Sequence, residues 1–91
     1  MEVGHLVLAL ERTILFLRKS ESSDWASLSI EEVIRQLKVE LDKAGNSQPL
    51  DINKLRSLYG PTGSLQEISI DNGWGKDFIE IANIIDQFIS D

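Results

Sequence analysis

A chain of 91 residues, 42% of them hydrophobic, supports one core, because two would each approach the size at which cores become marginal. It has no cysteine, which excludes disulfides and thiolate ligands and suits a reducing cytoplasm. Fifteen acidic against nine basic side chains give a formal net charge of -6, which repels phosphate backbones and anionic lipid and favours a basic protein partner.

The start, Met1 to His5, lacks the basic opening of a signal peptide, and the apolar run Leu6 to Leu10 is soon interrupted by Glu11 and Arg12. No segment approaches the roughly 18 apolar residues of a spanning helix, so a soluble, cytoplasmic protein is expected, with neither membrane nor nucleic acid as partner. A first helix is predicted from about Glu2 to Lys19. Val3, Leu6, Val7, Leu10, Ile14 and Leu17 form its buried stripe, and Arg18 and Lys19 suit its C-terminal dipole. A second apolar group, Leu8, Leu15 and Phe16, lies on the other side, as expected of a helix that presents a self-association surface to a homodimer.

The polar stretch from Ser20 to Ser27 reads as a connection whose Trp25 folds back onto the core. Ser29 is a good N-cap, Glu32 completes a capping box, and Ile30, Val33, Ile34, Leu37, Leu41 and Ala44 share one arc. Glu31 with Arg35 and Lys38 with Asp42 are charge pairs four apart, and Gly45-Asn46 ends this second helix. Asp51 is placed to cap a short third helix that buries Ile52, Leu55, Leu58 and Tyr59 and stops at Gly60-Pro61.

From Gly60 to Gly75 the chain holds four of its six glycines and no Lys or Arg. Ser64 with Glu67 forms another capping box and favours a brief helix over Leu65 to Ile70, whereas Ile68 and Ile70 alternate as a strand would. Asp71-Asn72-Gly73 is a turn signal. The last helix runs from about Gly75 to Ser90 and buries Phe78, Ile81, Ala82, Ile85, Phe88 and Ile89, with Trp74 in phase. The expectation is one all-α domain over residues 1–91, a compact antiparallel bundle of four or five helices with a glycine-rich loop before the last.

Most site chemistry is excluded by residue type. The single histidine, His5, leaves no nucleophile and base pair, and with no cysteine a zinc site lacks ligands. Glu67, Asp71, Asn72 and Asp77 offer oxygens to a hard cation, but Gly73 and Gly75 stand where an EF-hand loop needs oxygen side chains. Gly60-Pro61-Thr62-Gly63-Ser64 lacks the lysine of a phosphate-binding loop. A non-enzymatic protein with no cofactor is expected, small-ligand or divalent-cation binding by the Gly60 to Gly75 segment being the third reading after partner binding and self-association.

The same segment is the candidate partner-binding surface, through Tyr59, Gln66, Glu67, Asp71, Asn72 and Trp74, because it concentrates amide, carboxylate and aromatic groups. The alternative is that it plugs one end of the core. Leu55 to Gly75, LRSLYGPTGSLQEISIDNGWG, resembles the core of a small uncharacterised bacterial family with the pattern L..L..PTG.LQE.S..NGW. That resemblance spans about a quarter of the chain and implies no activity. In size and acidity the chain is similar to bacterial immunity proteins, which act as inhibitors by covering a toxin.

Overall fold

In a computed structural model that describes residues 3–21, 26, 28–61 and 63–89, the chain is mostly helical, with no strand among those residues. Helices run over Val3–Arg18 (α1), Ile30–Gly45 (α2), Ile52–Tyr59 (α3), Ser64–Asp71 (α4) and Gly75–Ile89 (α5). α1 packs on α2 and α5, while α3 and α4 pack on each other and on α5. Within the glycine-rich segment between α3 and α5, Ser64–Asp71 is helical, where a brief helix over Leu65 to Ile70 is the favoured reading of the sequence. The expected packing of Trp25 lies outside the described residues.

On α1 the buried stripe is Leu6, Ala9, Leu10, Thr13, Ile14 and Leu17. It is turned towards Ala9 and Thr13 relative to the expected arc, leaving Val7 half-buried, and Tyr59 of α3 meets Thr13 on that side. Thr13 is buried with its polarity satisfied. Its hydroxyl donates to Ala9 O at 2.8 Å and lies 2.8 Å from the Tyr59 hydroxyl, so the tyrosine must be the donor of that second bond.

At the start of α2, Ser29 Oγ accepts from Glu32 N at 3.1 Å, which is half of the expected capping box. The other half does not form: the Glu32 carboxylate accepts from Gln36 Nε2 at 3.0 Å and from Arg35. The Gln36 bond, and then Arg35, hold that carboxyl below its ordinary pKa. Arg35 therefore pairs with Glu32 and not with Glu31. α2 ends at Gly45-Asn46 as expected, with Asn46 as the C-cap, and Ser47 beyond it takes the left-handed conformation, with φ 55°. Gln48 N then donates back to Lys43 O at 2.8 Å.

The buried face of α2 contains a carboxylate. Glu40 is 0% exposed. Its Oε1 accepts from Asp51 N at 2.7 Å, and its Oε2 lies 3.2 Å from Lys43 Nζ and 3.7 Å from Lys54 Nζ. Asp51 is the N-cap of α3, with its own carboxylate accepting from Lys54 N at 3.0 Å. Glu40 thereby seats the first turn of α3 against α2.

Two outcomes follow. Glu40→Ala leaves a buried amide unpaired and should cost about 3 kcal/mol in urea unfolding. Lys54→Met, which removes a longer and partly solvated contact, should cost less than about 1 kcal/mol.

Tyr59, the sole tyrosine, gives a second test. Burial pushes its phenol far above the ordinary value of 10.0. The folded chain keeps a proton that the unfolded chain releases near pH 10, so this contribution is complete below that pH and is lost as the pH climbs above it. Tyrosinate absorbance should appear only together with loss of helical circular dichroism, and Tyr59→Phe should flatten the fall in stability above pH 10.

Candidate functional site

Between α3 and α5 the chain makes two tight turns around α4, and two glycines are required for different reasons. At Gly63 a Cβ would lie 2.5 Å from Ser57 O and 2.7 Å from Leu58 O, so the turn closes onto the end of α3 only without a side chain. Gly73 has φ 79°, the left-handed region that glycine adopts freely. Two of the four glycines of the segment are thus explained by backbone geometry.

Gly63, extended and without a capping side chain, precedes α4, so the capping box expected of Ser64 and Glu67 is not formed. Ser64 is instead buried, its Oγ accepting from Leu28 N at 3.1 Å. Leu65, Ile68 and Ser69 complete the inward face of α4, which settles the choice between helix and strand.

The turn after α4 is clasped to the residues that follow α1. Asn72 Oδ1 accepts from Glu21 N at 2.8 Å, and Asn72 Nδ2 donates to Glu21 O at 2.8 Å and to Ile68 O at 2.9 Å. Trp74 is 4% exposed. Its ring stacks on Phe16 with centroids 4.8 Å apart and meets Phe78 edge-on at 6.5 Å. Its Nε1 donates to Ser20 Oγ at 2.8 Å, and Ser20 Oγ donates in turn to Phe16 O at 2.8 Å.

These contacts correct four expected surface roles. Tyr59 and Trp74 are buried core side chains, while Asn72 and Phe16, both half-buried, are engaged within the chain, Asn72 through its amide and Phe16 in the Trp74 stack. The aromatic count of the segment could not reveal this, since a tryptophan in phase with an apolar stripe fits either role.

What remains outward on α4 is Gln66 and Glu67, half-buried, with Ile70 and Asp71 exposed. Ile70 is 57% exposed and Ile79, on α5, is 60% exposed. Together with Gln66, Ser69, Gly75 and Phe78 they line a shallow groove of about 370 Å³ between the two helices. Neither isoleucine was singled out as a surface residue, although Ile79 falls outside the expected buried stripe of α5.

On α1, Leu8 and Leu15 are 58% and 59% exposed, as expected of a surface stripe. Leu8 overhangs a second shallow groove of about 350 Å³ lined by His5, Ala9, Arg12, Ile84 and Gln87.

No group of three or more His, Asp or Glu side chains is placed to hold a metal ion among the described residues, and Asn72 Oδ1, one of the oxygens on offer to a hard cation, accepts from Glu21 N. No helix among them is long and apolar enough to cross a membrane. No family model matches the chain, and neither a curated protein nor a solved structure does.

The clasp predicts a hierarchy measurable by urea unfolding. Trp74→Ala should cost about 3 to 5 kcal/mol as a core cavity, and Asn72→Ala about 1 kcal/mol, because the backbone groups of Glu21 that it frees are exposed and can turn to water. Ile79→Ser, at an exposed position, should stay within about 0.5 kcal/mol of the parent.

Proposed function

We propose that the chain is a non-catalytic, cytoplasmic protein-binding module that docks a basic partner in the groove between α4 and α5, in the manner of an immunity protein or inhibitor. The single observation behind this reading is the pair Ile70 and Ile79, two large apolar side chains more than half exposed on facing edges of one groove. Holding them in water has a cost that a covering partner would remove.

Charge favours a basic partner. Glu67 and Asp71 run beside Ile70 on α4, no Lys or Arg occurs from Ser57 to Gly75, and the whole chain carries -6. Such a field raises encounter rates with cations and makes association salt-dependent. Gln66, at the groove lip, offers a donor and an acceptor for register. In this reading the helices form a compact antiparallel bundle in which α4 is the fifth member and closes one end, holding the groove rigid.

The reading is tested by affinity capture from the native lysate with the parent chain and with Ile70→Ser/Ile79→Ser, followed by titration of the captured protein in purified form. A basic protein should bind the parent and lose at least about tenfold in affinity with the variant, while both chains melt at the same temperature. Equal affinity of parent and variant for every captured protein would remove the proposal.

A further inference from the structure

A second surface has the opposite character. Leu8 and Leu15 stand seven residues apart on the outward side of α1, and the charges around them are Glu11 against Arg12, Arg18 and Lys19. In a chain of net charge -6 this face is locally basic. The α4–α5 groove is apolar and locally acidic. One molecule therefore carries both halves of a complementary pair.

A symmetric pairing of α1 with itself does not use that complementarity. Helical periodicity puts Glu11 on one flank of the Leu8 and Leu15 stripe and Arg12 on the other. An antiparallel two-fold sets each flank against its own copy, Glu11 facing Glu11 and Arg12 facing Arg12. A parallel two-fold sets Glu11 against Arg12 of the copy, but it also brings the basic ends, Arg18 and Lys19, together with aligned helix dipoles. With Phe16 withdrawn into the Trp74 stack, the leucine stripe is also narrower than a self-complementary patch requires.

We infer that the occupant of the α4–α5 groove in concentrated solution is α1 of a second copy, Leu8 and Leu15 meeting Ile70 and Ile79 while Arg12 and Lys19 meet Glu67 and Asp71. This rests on the groove being a docking surface, as proposed above, and adds that the chain competes for it with itself. The contact is heterologous, so each copy offers one free face at either end of a growing chain, and association is open rather than closed at two.

The test is sedimentation velocity of the full chain over rising concentration at low and high salt. Average mass should climb above the 10.2 kDa monomer without a plateau at twice that value, and return to it in high salt. Leu8→Ser/Leu15→Ser and Ile70→Ser/Ile79→Ser should each be monomeric alone, since each lacks one half of the contact. Mixed, they should form a one-to-one pair and nothing larger, because only one intact half remains on each.

Three results overturn the inference: a monomer at every concentration in low salt, a mixture that stays monomeric, or an Ile70→Ser/Ile79→Ser variant that still dimerises, which would mean a symmetric α1 contact. Leu8→Ser/Leu15→Ser keeps its groove, so if it binds the captured basic protein while the parent is monomeric, the docking reading stands and self-association alone fails. If the parent self-associates as described but no basic protein depends on Ile70 and Ile79, the reverse holds.

Discussion

The seating of Trp74 is the constraint on which the rest of the candidate site depends. One ring stacks on Phe16 near the end of α1, meets Phe78 in α5 and donates to Ser20 beyond α1, so three parts of the chain meet on a single side chain. Its backbone continues this role. Trp74 N donates to Ser69 O at 2.9 Å, and Trp74 O accepts from Phe78 N at 2.9 Å, so the same residue closes the turn after α4 and opens α5. With both ends of that turn fixed, the angle between α4 and α5 is set, and the groove bearing Ile70 and Ile79 is a consequence of it.

Two buried polar arrangements complement this aromatic centre. Glu40 joins α2 to the start of α3, and the Thr13 and Tyr59 hydroxyls join α1 to its end. Apolar faces of helices can slide or rotate against one another at little cost, whereas a buried carboxylate or hydroxyl is satisfied in few arrangements. α3 is only two turns long, and these polar contacts hold it in place at both ends.

The helices legible in the sequence were those whose signals are local. Ser29 and Asp51 each cap the helix expected of them, and Phe78, Ile81, Ile85 and Ile89 are buried at the expected spacing. Features that depend on distant partners were not legible. Glu40 lies between Val39 and Leu41, and nothing local marks it as a buried carboxylate, because its partners Asp51 and Lys54 come from the start of α3. Ser64 looked like a cap and proves to be an acceptor for Leu28, 36 positions away. For the candidate site, the aromatic and amide groups that marked the segment face inward, and the outward apolar surface belongs to Ile70 and Ile79, neither of which was among the expected contact residues.

The clasp at Asn72 also bears on how the protein ages. An asparagine followed by glycine is prone to deamidation, because the glycine nitrogen can attack the side-chain amide to give a cyclic imide and then aspartate or isoaspartate. Here the amide is gripped by Glu21 and Ile68, and Gly73 N is engaged with Ile70 O at 3.3 Å, so nucleophile and target are kept from meeting. A molecule that unfolds loses that shelter. The carboxylate formed could no longer donate to Glu21 O or Ile68 O, so each excursion carries a chance of chemical damage that weakens the refolded clasp and makes the next excursion more frequent.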